Sequence, residues 1–212
     1  MSSNFQVLLP AALIKVFAVA GFLSATILVL NAAKRSGIIP TTPFTQLAAP
    51  VAQLAAIGLV IGIYLVISPK ADILGIVGAT LSVAALAGLV GVEFVLNLVF
   101  PYLDQDIIAV LRQGPLAIAL TAVSLLFLVG TVIFMLTLWR TSTAPRGAIL
   151  LYTAGTIPIA LRALFPETVL QIGLIALAAA ISWLTIWMLR NIPKETESEA
   201  AERNPVADAN AS

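Results

Sequence analysis

The sequence predicts an all-α fold, a polytopic transmembrane bundle of six helices with one short interfacial helix. Three observations carry that reading. The chain is 60% hydrophobic and only 10% charged, where soluble domains carry about 25% charged residues. Its mean hydropathy is +1.07. Its apolar residues gather into stretches long enough for a bilayer core, which is roughly 30 Å thick and takes about 20 residues of helix. Six such stretches run over 10–30, 50–67, 73–100, 115–139, 147–164 and 168–189.

The first stretch opens the chain without a positive charge before it, and Lys15 interrupts its apolar run. Both features argue against a cleaved signal and for a retained helix. Lys34-Arg35-Ser36-Gly37 ends it, and Ile39-Pro40-Thr41-Thr42-Pro43 reads as an extended loop. Ser68-Pro69-Lys70-Ala71-Asp72 is a tight turn between the second and third stretches, and Phe165-Pro166-Glu167-Thr168 another between the last two. The polar run from Thr141 to Gly147, with Pro145 and Arg146, separates the fourth from the fifth. Proline in each break stops a helix or starts one at its first turn. Between Pro101 and Gly114 the apolar residues Ile107, Ile108, Val110 and Leu111 recur at helical spacing, which predicts a short helix lying at the interface. Pro158 should kink the fifth helix.

Two segments result: a transmembrane domain over 1–191 and a polar tail over 192–212. The tail, opening Lys194-Glu195-Thr196-Glu197, cannot bury a core and is expected to be disordered. Counting Lys and Arg in the short connections orients the bundle. Lys70, Arg140, Arg146, Arg190 and Lys194 share the side of the termini, against Lys34, Arg35 and Arg112 opposite. Both termini are therefore expected in the cytoplasm, with Trp139, Trp183 and Trp187 near that interface.

Composition also excludes chemistry. The chain has no cysteine and no histidine. That removes disulfides, thiolate metal sites and cysteine nucleophiles, together with the commonest metal ligand and general base. A net charge of +1 gives no bulk attraction to nucleic acid. No catalytic residue, metal site or cofactor is expected.

Two groups of residues stand out. Gly58 and Gly62 lie four apart on one face of the second helix, and Gly75, Gly78 and Gly88 line the third, the pattern that lets membrane helices approach closely. The second group centres on Glu93, an acid within an apolar stretch, where ionisable groups are costly and usually partnered. Ser82 and Asn97 share its helix face, and Glu93 lies roughly 10 Å short of that helix's end. Arg162, near the end of the fifth stretch, approaches the same membrane face and is the expected ion-pair partner.

The layout of six helices, with an Arg/Pro loop after the fourth and a tight turn between the last two, resembles small bacterial integral membrane proteins of unknown function. That resemblance implies the bacterial inner membrane and supplies no activity or site residues. The expected role is a non-catalytic structural or accessory subunit packing on other membrane helices, of other subunits or of a second copy, within the lipid bilayer. The alternative is a small transporter or channel with a proton or cation site near Glu93 and Arg162.

Overall fold

The computed structural model describes residues 11–141 and 143–192. The expected terminal tail lies outside them from residue 193 on, as does the N-terminal segment before Ala11. The described residues form seven α-helices and no strand: α1 (Ala11–Arg35), α2 (Pro43–Ile67), α3 (Ile73–Phe94), α4 (Gln105–Leu111), α5 (Pro115–Thr141), α6 (Arg146–Ala160) and α7 (Glu167–Arg190). Five are long and apolar enough, with their flanking turns, to cross a membrane: α1, α2, α3, α5 and α7.

The expected sixth span over 147–164 is shorter than the sequence implies. α6 has 15 residues, about 22 Å of helix against a core of roughly 30 Å. Pro158 has no N–H to give the Ala154 carbonyl, which weakens the last turn. The Leu161 N–H closes that turn on the Ile157 carbonyl (3.0 Å), and the chain then bends through Leu161–Leu164.

Two other boundaries move for identifiable reasons. α1 continues to Arg35, with Lys34 and Arg35 in its last turn, where the helix dipole favours cations. It stops at Gly37, whose φ of 76° lets the Ile38 N–H reach back to the Ala33 carbonyl (3.0 Å). α2 starts at Pro43 rather than Pro50. Thr42 caps it in a reciprocal box with Thr45, with the Thr45 N–H donating to Thr42 Oγ1 and the Thr42 N–H to Thr45 Oγ1. Pro50 is buried inside the helix, about two turns beyond its start at Pro43. Asp72 caps α3 by accepting from the Leu74 N–H (3.0 Å).

Leaving out α4, each helix packs on the next in the chain, and α7 closes on α1. The result is an antiparallel ring whose least extensive contact is between α5 and α6. Glycines set the closest approaches. A Cβ on Gly78 would stand 2.8 Å from the Phe134 backbone nitrogen, and one on Gly130 2.9 Å from the Leu81 and Ser82 backbones, so α3 and α5 touch backbone to backbone. Gly75 and Gly88 face Thr137 and Val123 on the same helix α5. Gly58 and Gly62 lie against Ala20 and Phe17 of α1, and Gly62 also against Met188. The sequence singled out these five; Gly130, and the Gly155–Gly173 contact between α6 and α7, it did not.

The two ends of the ring differ. Where α1 starts and α7 ends, Ile14, Leu59, Ile63, Phe134, Leu184 and Met188 are each 1% exposed or less and close the interior. Trp187 Nε1 donates to the Thr143 carbonyl (2.7 Å), tying α7 to the α5–α6 connection. The other end stays open.

Candidate functional site

The open end holds a cavity of about 370 Å³ framed by the ends of α1, α3 and α6, the start of α7, and α4. Its shape follows from how α3 finishes. Val95–Val99 wind as a π-turn, with the Phe100 N–H bonded to the Val95 carbonyl, and Pro101 then blocks further helix. The wider turn carries Asn97 into the cavity and leads to α4, which buries Ile108 and lays Gln105 and Arg112 along the wall.

Four cations line this cavity: Lys34, Arg35, Arg112 and Arg162. Glu93 is the one carboxylate among the lining residues. Lys34 donates from Nζ to Asn97 Oδ1 (2.8 Å), and Asn97 Nδ2 donates to Glu93 Oε2 (2.7 Å) and to the Glu93 carbonyl (3.0 Å). One amide therefore stands between the lysine and the glutamate and satisfies both. Lys34 also approaches the Thr45 carbonyl at 3.5 Å. Arg35 pairs with Glu167 at 3.1 Å, the one ion pair among the described residues. The Arg112 guanidinium sits over the Phe100 ring, 5.3 Å from its centroid.

The direct Glu93–Arg162 contact expected from the sequence is not made. Both residues line the cavity, but Glu93 is engaged by Asn97, and Arg162 lies exposed in the turn beyond α6 with no hydrogen bond or ion pair among the described residues. The physical reason is the early end of α6, which lifts Arg162 out of the helix. The face shared by Ser82 and Asn97 also divides. Ser82 is buried where α3 meets α5, and its hydroxyl has no partner among the described residues, whereas Asn97 reaches the cavity.

Sequence reading missed Lys34, Arg35 and Arg112 as members of one site. Each sits at a helix end, where a basic residue reads as an interface anchor. The available signal was that all three, with Arg162, lie at helix ends or in turns on one face of the ring.

Two further spaces adjoin. A pocket of about 50 Å³ lies deeper in the ring and shares Asn31, Glu93, Ile159 and Leu174 with the cavity; Gln53 and Tyr152 also line it. A groove of about 540 Å³ opens at the α5–α6 contact and shares Leu96, Arg112 and Arg162. Comparison with protein-family models, curated proteins and solved structures finds no match to this chain.

Proposed function

We propose that this chain is a non-catalytic integral membrane protein whose working site is the basic cavity, and that the cavity holds an anionic group. The observation that carries this reading is four cations converging on one cavity that contains a single carboxylate. Arginine guanidiniums offer forked donors to phosphate and carboxylate oxygens, and Arg162 has no partner among the described residues. A proton or cation site at Glu93 fits less well, because a cation would enter a field of excess positive charge.

In this reading α6 and its turn make a sixth crossing. Gly147 lies against Trp183, Gly155 against Leu177 and Pro158 against Gly173, an antiparallel register along most of α7. Placing Arg162 at the open end narrows the charge count to Lys70, Arg140, Arg146, Arg190 and Lys194 against Lys34, Arg35, Arg112 and Arg162. Cytoplasmic termini remain the orientation that count supports, with the cavity on the outer face of the plasma membrane.

A transporter of anions is the second reading. The small pocket beyond Glu93 favours it, because Asn31, Gln53 and Tyr152 carry polar groups from the cavity toward the middle of the ring.

Inorganic phosphate tests the site. In detergent at constant ionic strength, phosphate should raise the melting temperature saturably, and Arg162→Gln should weaken that effect severalfold. Equal responses to phosphate and chloride, in both proteins, would remove the anion site.

A further inference from the structure

The groove at the α5–α6 contact has a feature that a site for a free anion does not require. It is walled by Leu120, Thr121 and Leu125 of α5 and by Leu161 and Leu164 beyond α6, and it shares Leu96, Arg112 and Arg162 with the basic cavity. Arg112 and Arg162 line both spaces. Two guanidiniums thus stand at the junction of a polar chamber and an apolar channel.

The groove also faces the right medium. α5 is the least buried of the five long helices, and its contact with α6 is the least extensive between ring neighbours. Leu125 is exposed on the α5 wall, as is Leu164 across the groove. In a bilayer this side of the ring meets hydrocarbon, so an acyl chain can lie in the groove without crossing a polar barrier. The open end stands at headgroup level, because the helix ends and the short α4 lie there.

We infer that the cavity and groove together bind one anionic phospholipid, with its phosphate held between Arg112 and Arg162 and an acyl chain lying against α5. This rests on the anion-binding reading above and names the ligand class. Guanidinium forks bind phosphate oxygens, and the summed field of the neighbouring cations adds to that attraction. Lys34 and Arg35 add charge behind the phosphate. Their own partners, Asn97 and Glu167, keep them fixed, so the two less constrained arginines make the closest contacts. A zwitterionic lipid brings its own cation into a chamber already rich in cations and binds less well.

The purified full-length protein in mild detergent tests this, with phosphatidylglycerol, phosphatidylcholine and inorganic phosphate as separate probes. Bound lipid is counted by native mass spectrometry, and affinity is read from the melting temperature. Phosphatidylglycerol should bind at least tenfold more tightly than phosphatidylcholine and than phosphate. Thr121→Trp fills the groove from an exposed position and should weaken phosphatidylglycerol about tenfold while leaving phosphate unchanged. Arg112→Gln with Arg162→Gln should weaken both. If phosphatidylglycerol binds no better than phosphate, or ignores Thr121→Trp, the lipid inference falls and the anion site stands. If none of the three probes stabilises the protein, both fall.

Discussion

The two ends of the ring are built from the same apolar alphabet and do opposite things. At the end carrying the α1 start and the α7 end, Ile14, Leu59, Ile63, Phe134 and Met188 interlock with almost no exposure. At the other end the same helices part around Lys34, Glu93, Asn97 and Arg162 and leave about 370 Å³. In lipid no hydrophobic force draws one apolar helix to another, so packing contacts decide where helices meet. Large side chains filling the ring close one end. At the other, the π-turn in α3 and the short α6 end the helices early and turn polar residues inward. The comparison teaches that the cavity lies where helices end early, at the π-turn after α3 and the short α6, and not where the apolar composition changes.

The largest effect should come from the helix contact on which both ends depend. Gly78→Leu with Gly130→Leu would drive α3 and α5 apart, since a Cβ already meets backbone at 2.8 Å and 2.9 Å. The loss should exceed about 3 kcal/mol, the upper part of the range for overpacked cores. Thermal unfolding in detergent measures it, and an unchanged melting temperature would show that the backbones are not in contact.

A pair of truncations compares the ends themselves. Phe134→Ala at the closed end should cost about 3 kcal/mol, because the space it leaves cannot refill. Ile159→Ala, only partly buried on the wall of the basic cavity, should cost less than about 1 kcal/mol. Equal losses would mean that the two ends are packed alike.

The smallest effects belong to charge. A double-mutant cycle between Lys34→Met and Glu93→Gln should show coupling of about 1 kcal/mol, carried by the Asn97 bridge. The same cycle between Glu93→Gln and Arg162→Gln should be additive within about 0.5 kcal/mol. Strong coupling in the second cycle would restore the direct pair that the sequence suggests.

Composition and periodicity by themselves determined the all-helical architecture, five of the membrane-length helices, the short helix between Pro101 and Gly114, and the small residues at helix contacts. Those are local properties: a run of apolar residues, a proline, a glycine at helical spacing. The Glu93–Asn97 contact was within reach for the same reason, being four residues along one helix. The start of α2 was misjudged because Pro43 and Pro50 offer the same local signal, and only the Thr42–Thr45 box distinguishes them. The basic cavity could not be read this way. Lys34 ends α1, Arg112 caps α4 and Arg162 lies in the turn beyond α6, and each alone is an ordinary interface cation. Ring closure, with α7 packed on α1, gathers them, and it depends on side chains distant in sequence. The partner of Glu93 was likewise settled by tertiary structure, because the end of α6 at Ala160 sets where Arg162 stands and the π-turn sets where Asn97 points.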